Sequence, residues 1–343
     1  MNKTISFVVP AKNAESTIIR CIESIINIKS IEKEIIIICN NCIDNTENKI
    51  TEYIKNFPYI KLYICNSICN ASEARNYGIK KSSSEWIMFV DSDDYFDETF
   101  SDDYNFNDIL SLKFHLITNN YKMIKNNNIS TKNHNIEHTG NYNQLDAIKY
   151  LKDFCYVPYK YTLFVHCWAK IYQRKIILNN NIYFDARLKQ LEDVNFNLKY
   201  LNHTNTIYHT GLPIYTYDAE SNLNGMSINS GNEENSVKKI YYALFPLKEL
   251  LLKFLTSKEV KILFSQVITS VARIWIIRLS VNSSLFKKSS IIKINEIINS
   301  KIYKNCEKLY LCKENDSIIL NVISKYLPLK AVLIYSYIRM IRR

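Results

Sequence analysis

Four short apolar runs, separated by segments with helical spacing, occupy the first ninety residues of the chain. The runs are rich in β-branched and aromatic residues and lie at 5–9, 34–39, 60–65 and 86–90. Apolar residues at helical spacing lie between them, at 14–26, 46–56 and 71–81. Strands and helices in alternation predict a mostly parallel, doubly wound α/β sheet, and continuous apolar strands predict burial on both faces.

The fourth run ends abruptly in acid, at Asp91-Ser92-Asp93-Asp94. In open α/β sheets, ligands bind just outside the carboxyl ends of the strands, so Asp91 and Asp93 are expected to lie at a ligand site. Alternate residues point the same way, which brings two repelling carboxylates together. Hard oxygen ligands suit Mn²⁺ or Mg²⁺, and this pair predicts such a site. The alternative is a solvated turn, since Asp and Ser are common turn residues.

Glycine is scarce, with five residues in 343. The chain therefore contains neither the glycine-rich fingerprint of dinucleotide-binding folds nor a P-loop. If a nucleotide binds, its phosphates need a cation and a basic side chain instead.

Nine cysteines, an odd number, occur in a chain without a recognisable export signal, so reduced thiols are expected. Cys39 with Cys42, and Cys65 with Cys69, resemble half-sites for zinc. Because Cys39 and Cys65 end apolar runs, small buried side chains are the simpler interpretation, and zinc or thioredoxin-like redox chemistry remain alternatives.

The middle of the chain contains further predicted strands and helices. Strands are predicted at 108–117 and 168–172, and helices at 145–154, 174–180 and 192–201. The Asn-rich stretch 119–143 and the polar stretch 218–235 are predicted to be loops.

The last third is basic: residues 236–343 carry 20 Lys and Arg against 6 Asp and Glu, whereas the remainder carries 24 against 27. Helices are predicted at 237–255, 258–279 and 291–303, and a terminal helix after Pro328. This terminal helix would be basic and amphipathic, suited to an anionic membrane surface or to packing on its own domain. No uncharged apolar run reaches the length of about 18 residues that a membrane span needs.

The aromatic residues in this basic region help to decide whether a nucleic-acid partner is expected. Stacking platforms for single-stranded nucleic acid need exposed aromatic side chains among basic ones. The spacing of these aromatics instead predicts core positions, at Tyr241, Tyr242, Phe245 and Phe254. No nucleic-acid partner is therefore expected.

Motifs in a fixed order resemble glycosyltransferase family 2, whose members are inverting nucleotide-sugar transferases with the GT-A fold. The motifs lie within residues 4–230. They are the strand and turn at 8–14, the second strand and acidic turn at 34–46, Ala-Arg-Asn-x-Gly-Ile at 74–79, Asp-x-Asp at 91–93, Cys-Trp-Ala-Lys-Ile-Tyr at 167–172 and Glu-Asp-x-x-Phe at 192–196. The last two are similar to bacterial capsule and lipooligosaccharide enzymes.

The resemblance implies a GT-A-type, Rossmann-like catalytic domain over 1–230, with a helical C-terminal region over 231–343. It assigns a set of residues to the nucleotide sugar: Pro10, Ala11, Asn13, Asn40, Asp44, Arg75, Asp91 and Ser92. It assigns Asp93, with Asp91, to the metal ion. The acceptor's proton would pass to Asp193, with Glu192 as the runner-up; both also suit a helix N-terminus as simple acids.

One position departs from the family pattern. Where its members commonly carry an acid that contacts the nucleotide base, this chain has Asn40. An amide both donates and accepts hydrogen bonds, so uridine is the first expectation for the base but not the sole one.

The implied activity is a metal-dependent hexosyl- or N-acetylhexosaminyltransferase that extends a surface glycan or glycolipid, lipooligosaccharide or capsule, at the cytoplasmic face of the membrane. The rival is a non-catalytic binding protein on a decayed transferase scaffold, which uses its basic helices to bind membrane or nucleic acid. Intact Asp91, Asp93, Arg75, Glu192 and Asp193 favour the enzyme. A sugar nucleotidyltransferase is a third option, but its glycine-rich phosphate loop is missing.

Overall fold

The structure is a computed structural model that describes residues 3–67, 70–97, 105–221, 236–281 and 288–311. The chain forms two compact units. The first comprises residues 1–147 and 163–230, and the second comprises 148–162 and 231–343.

A ten-stranded mixed sheet forms the first unit. In chain order its strands are β1 (Thr4–Ala11), β2 (Glu32–Cys39), β3 (Ile60–Ile64), β4 (Trp86–Phe89), β5 (Tyr95–Phe96), β6 (Leu116–Lys125), β7 (Asn128–Lys132), β8 (Gly140–Asn143), β9 (Lys170–Gln173) and β10 (Thr206–Asp218). Their order across the sheet is β3-β2-β1-β4-β9-β6-β10-β5, with β7 beside β6 and β8 beside β10.

The four predicted apolar strands form the parallel half of the sheet, as expected. β1 lies between β2 and β4, and β2 also pairs with β3. The first strand was expected to stop at Val9, but it continues through Pro10 to Ala11. Pro10 is tolerated there because pairing with β4 ends earlier, at the hydrogen bond from Val90 N–H to Val8 O, so no ladder donor is lost.

The polar stretch 119–143 is not a loop, and that prediction was wrong. It contains most of β6, all of β7 and β8, and two buried amides, Asn119 and Asn120. Asn119 accepts a hydrogen bond from Thr210 and donates one to Ala169 O, while Asn120 donates to Gly211 O. Such partners offset the cost of burying these amides in a strand, and Asn120 Oδ1 alone among their side-chain polar atoms has no partner among the described residues.

Helices connect the strands of the first unit. In the first unit they are α1 (Ile18–Ile26), α2 (Thr46–Tyr53), α3 (Ala71–Lys81), α4 (Phe106–Ser111), α6 (Arg174–Asn179) and α7 (Glu192–Leu201). α5 (Gln144–Tyr156) crosses the boundary between the two units. The bounds of α7 are those predicted, whereas α1 begins at Ile18 rather than at residue 14.

The strand predicted at 108–117 was also wrong, because α4 occupies its first half and β6 begins only at Leu116. The Asn105 side chain accepts hydrogen bonds from the backbone N–H groups of Asn107 and Asp108, which caps α4. Lys113, at φ 58°, then reverses the chain before β6. An Asn before an apolar segment is the cap signal that could have identified this helix.

Gly78 sets how closely α3 lies on the sheet. A Cβ atom at this position would lie 2.3 Å from Val8 Cγ1, which is well inside van der Waals contact. Only glycine permits this approach, and the same face of α3, one turn earlier, carries Arg75.

The second unit is helical, with α8 (Ser236–Ala243), α9 (Phe245–Leu252), α10 (Ser257–Val281), α11 (Lys288–Asn299) and α12 (Lys301–Glu307). The helix predicted at 237–255 is broken at Leu244, where Pro246 opens α9. Within the described ranges, no helix combines the length and the apolar character that crossing a membrane requires. The terminal helix predicted after Pro328 lies outside the described residues.

Three of the four aromatics expected in the core of this unit are exposed. Tyr242, Phe245 and Phe254 are 42%, 41% and 36% exposed, whereas Tyr241 packs edge-on against Phe264. The expectation of core positions was therefore wrong for these three, and it no longer supports excluding a nucleic-acid partner.

Candidate active site

The acidic turn after β4 is held by hydrogen bonds from outside it. Tyr215, on β10, accepts a hydrogen bond from Asp91 N–H at 3.1 Å and donates its hydroxyl to Asp94 Oδ2 at 2.7 Å. Asp94 is fully buried and also accepts from Asp218 N–H at 2.9 Å. Asp94 therefore anchors the turn that carries Asp91 and Asp93. Tyr215 gave no recognisable signal in the sequence.

Asp93 lies close to other acids. Burial and the Asp91 carboxylate raise the pKa of Asp93 to about 7. Arg20 donates one hydrogen bond to the backbone oxygen of Asp93 and another to the Asp218 carboxylate, at 2.7 and 2.9 Å. This crowding of acidic groups at a strand end is the electrostatic setting in which a cation is stabilised.

Arg75 connects the acidic turn to α7. Its guanidinium pairs with Asp91 Oδ1 at 2.7 Å and with Asp193 Oδ1 at 3.3 Å, and its side chain is 6% exposed. These residues are far apart in sequence, yet one buried cation holds both carboxylates. Its Nε atom has no hydrogen-bond partner among the described residues, so the guanidinium retains an unused donor.

Glu192 and Asp193 form the first turn of α7, as predicted. Asp193 Oδ2 accepts a hydrogen bond from Cys167 N–H at 3.0 Å, so both of its oxygens are engaged. Burial, with Asp193 beside it, raises the pKa of Glu192 to about 7. Leu191, at φ 64°, turns the chain into the helix.

Asn76, next to Arg75, ties α3 to the segment before α7. Its side chain donates to Phe184 O and accepts from Phe184 N–H, both at 2.8 Å. The Phe184 ring lies 5.4 Å from the Arg75 guanidinium carbon and stacks on Phe196 of α7. The Ala-Arg-Asn motif thus supplies the Arg75 cation and, through Asn76, the hydrogen bonds that hold Phe184 beside it. The sequence alone did not reveal this role of Asn76.

The loops after β1 and β2 form a second group of predicted residues. The Asn13 side chain accepts a hydrogen bond from Ile43 N–H at 2.9 Å. Asp44 accepts from Glu15 N–H and from the Thr46 backbone and hydroxyl, so its carboxylate holds this loop to the start of α2. Asn40 is 1% exposed, and its Nδ2 has no hydrogen-bond partner among the described residues.

The predicted residues thus form two groups at the carboxyl ends of the parallel strands. One holds Arg75, Asp91, Ser92, Asp93, Glu192 and Asp193, and the other holds Pro10, Ala11, Asn13, Asn40 and Asp44. In the described part of the chain, no hydrogen bond or ion pair joins a member of one group to a member of the other. Pro10 and Ala11 contribute strand backbone: Ala11 O accepts from Asn40 N–H at 3.0 Å.

An aromatic stack lies behind the acidic turn. Trp168 stacks face to face with Tyr215 and with His166, at centroid distances of 4.9 and 4.4 Å, and Tyr217 extends the stack. Burial lowers the pKa of His166 to about 3, so its ring is neutral at physiological pH. The stack packs against Tyr215 and so supports the turn, which gives His166 a structural role.

Among the described residues, no cluster of three or more His, Cys, Asp or Glu side chains is arranged to hold a metal ion. Zinc bound at the cysteine pairs thus receives no support from this part of the chain. Cys39 is buried as expected, whereas Cys65 is partly exposed.

The sheet, the acidic turn and the ion-paired Asp193 of α7 define a glycosyltransferase domain of the GT-A type. Residues 6–101 match the model for Glycosyl transferase family 2. Over 259 residues the chain is 30% identical to poly(ribitol-phosphate) beta-N-acetylglucosaminyltransferase TarP of Staphylococcus aureus, covering 71% of this chain and 72% of TarP. The chain belongs to glycosyltransferase family 2.

Two further likenesses agree with this assignment. Over 96 residues the chain is 35% identical to the uncharacterized glycosyltransferase YibD of Escherichia coli, a match that covers 27% of this chain and only 28% of YibD. The fold resembles the crystal structure of S. aureus TarS 1–349 in complex with UDP-GlcNAc, with a TM-score of 0.65 and 19% identity. That likeness covers 98% of this chain and 89% of the TarS chain.

Proposed function

We propose that this protein is an inverting, metal-dependent glycosyltransferase that moves a sugar from a UDP-sugar to a hydroxyl group of a surface glycan. The observation that carries the proposal is the buried Arg75, which pairs with Asp91 on the donor side and with Asp193 on the acceptor side. Transfer of a sugar between two substrates requires the two sites to meet, and this ion-pair network joins them. UDP-GlcNAc is the first donor to test, since TarS was solved with it and TarP is named for that sugar.

The donor set at Asp91 and Asp93 fits Mn²⁺ or Mg²⁺. Such ions are commonly held by one or two carboxylates, with substrate phosphates and water completing the shell, so two aspartates suffice once the nucleotide is bound. When bound, the ion would stabilise the charge that develops on the diphosphate leaving group. Arg75 adds a fixed positive charge on the same side.

Activity is therefore expected to need a divalent cation. EDTA should abolish turnover of UDP-GlcNAc, Mn²⁺ or Mg²⁺ should restore it, and Asp93→Ala should not be rescued by either ion. Full activity in EDTA would remove the metal from this proposal.

Asp193 is the proposed general base, which takes the proton of the acceptor hydroxyl. Arg75 and Cys167 N–H fix the orientation of its carboxylate, and α7 places it in a helix's first turn. A base must be positioned before its pKa matters, and Asp193 is held from two sides. Glu192, with a pKa raised to about 7, is the runner-up.

Paired substitutions test this assignment. Asp193→Asn is nearly isosteric and should lower kcat by about 10²–10⁴-fold, the usual contribution of a general base. UDP affinity, measured by calorimetry with Mn²⁺, should change little because the base faces the acceptor. Glu192→Gln is the matched control: a larger loss in that variant would exchange the two roles, and less than a tenfold loss in both, in folded protein, would place the base elsewhere.

The proposal extends to the acceptor and to the cellular location. The relative TarP is named for transfer to poly(ribitol-phosphate), which makes an anionic or lipid-linked glycan the acceptor class to test first. We place the enzyme peripherally at the cytoplasmic face of the membrane, where the basic residues of 236–343 would meet anionic lipid. Turnover of any UDP-sugar separates this proposal from a non-catalytic binding protein.

A further inference from the structure

Helix α1 contacts the backbone of the acidic segment 91–96 through three side chains. Arg20 donates to Asp93 O at 2.7 Å, Cys21 donates to Asp91 O at 3.6 Å, and Ser24 accepts from Phe96 N–H at 3.1 Å. Positions 20, 21 and 24 share one side of a helix, because residues four apart lie one above the other. One face of α1 therefore holds the segment that carries both predicted metal ligands.

Arg20 makes the strongest of these three contacts. Hydrogen bonds from a charged donor are about twice as strong as neutral ones, whereas a thiol is a weak donor. The same nitrogen, Arg20 Nη2, also donates to Asp218 Oδ2 at 2.9 Å, and the guanidinium carbon lies 4.4 Å from the centre of the Tyr95 ring. Arg20 thus links α1 to the acidic turn and to the end of β10.

The charge of Arg20 opposes a cation at Asp91 and Asp93, because like charges repel. The Asp218 carboxylate cancels this charge within the ion pair. The Arg20 and Asp218 side chains are 42% and 10% exposed, and an ion pair this open to solvent contributes little Coulomb energy of its own. The pair therefore supplies the turn with a fixed backbone position rather than with a net charge.

We propose that Arg20 is a positioning residue for the metal site, which holds the Asp93 backbone so that the acidic turn is already ordered when the cation binds. The inference rests on the metal-dependent function proposed above. Without this hydrogen bond, fixing the turn would cost conformational entropy on binding, and the cation would bind more weakly. Electrostatics alone gives the opposite sign, since removing a positive charge beside two carboxylates favours a cation.

The first test measures Mn²⁺ affinity of the full-length protein with UDP present, from the electron paramagnetic resonance signal of free Mn²⁺. Arg20→Met removes the donors and the charge but keeps an unbranched side chain. It should bind Mn²⁺ about tenfold more weakly, the size expected for one lost hydrogen bond. Arg20→Lys keeps a charged donor and should lose less.

Lys61→Met is the matched control. Lys61 pairs with Glu34 at 3.1 Å, and these side chains are 44% and 10% exposed, nearly the same as the Arg20 pair. Lys61 lies on β3 and makes no hydrogen bond or ion pair to the acidic segment in the part of the chain that the structure describes. Its removal should leave Mn²⁺ affinity at the wild-type value.

The second test needs no ligand. Hydrogen exchange of the backbone amides of 91–96, followed by mass spectrometry without metal or nucleotide, should be faster in Arg20→Met than in the wild type and in Lys61→Met. Mn²⁺ affinity that is equal or higher in folded Arg20→Met, or exchange that is unchanged, would overturn the positioning role. If the wild type binds no Mn²⁺ even with UDP, the proposed function fails, while exchange still decides whether Arg20 holds the turn.

Discussion

Replacing Tyr215 with Phe should loosen the acidic turn without touching any predicted ligand. The change removes one hydroxyl and leaves the ring, which keeps its stack on Trp168. Two hydrogen bonds are lost, one from Asp91 N–H and one to Asp94. Each contributes about 1 kcal/mol net, and a buried donor left without an acceptor costs about 1–3 kcal/mol, so unfolding should become easier by about 2–4 kcal/mol.

The same substitution should weaken ligand binding, because Ser92 and Asp93 lie between the two lost anchors. Fixing one freed residue again costs about 1–2 kcal/mol on binding, which corresponds to a fall of about five- to thirtyfold in affinity for UDP with Mn²⁺. Urea unfolding gives the first quantity and calorimetry the second.

Tyr217→Phe is the matched control, since Tyr217 lies on the same strand and stacks on the same tryptophan. Its hydroxyl makes no hydrogen bond to the residues that the structure describes, so its removal should change neither quantity. Equal stability and equal UDP affinity in the Tyr215 and Tyr217 variants would refute the anchoring role of the Tyr215 hydroxyl.

Three other expectations concern the sheet and the terminus. Burial alone would raise the pKa of Glu34. Its hydrogen bonds, of which the one from Ser6 contributes most, instead lower this pKa to about 2. Since the folded pKa lies below the unfolded one, this stabilisation is present above about pH 4.5 and is lost as the pH falls toward 2. Glu34→Gln should thus cost about 2–3 kcal/mol in urea unfolding at pH 7 and much less near pH 3, and a pH-independent cost would contradict this. Gly78→Ala should lower the free energy of unfolding by about 1–3 kcal/mol through overlap with Val8, despite the better helix propensity of Ala, and a more stable variant would disprove the close approach. Removing residues 328–343 should reduce sedimentation with anionic vesicles at low salt and spare UDP binding, whereas unchanged, salt-insensitive binding would count against the membrane role.

The sequence by itself determined the parallel half of the sheet, α7 and the position of the acidic turn. Continuous β-branched runs have one favourable environment, a strand buried on both faces, and the helices between them leave a parallel arrangement as the simplest solution. Asp91 and Asp93 could be placed because they directly follow such a strand. These are local patterns, which can be recognised from neighbouring residues in the sequence alone.

The tertiary structure alone decided what holds the site together. Arg75 meets Asp193 across 118 positions and Tyr215 meets Asp91 across 124, distances that no local periodicity encodes. Polar β6 fails the pattern for a buried strand for the same reason: Asn119 is acceptable there because Thr210 and Ala169 pair with its amide, and Asn120 pairs through its Nδ2 with Gly211 O. A buried amide or carboxylate is stable or unstable according to its partners, and those partners come from distant parts of the chain.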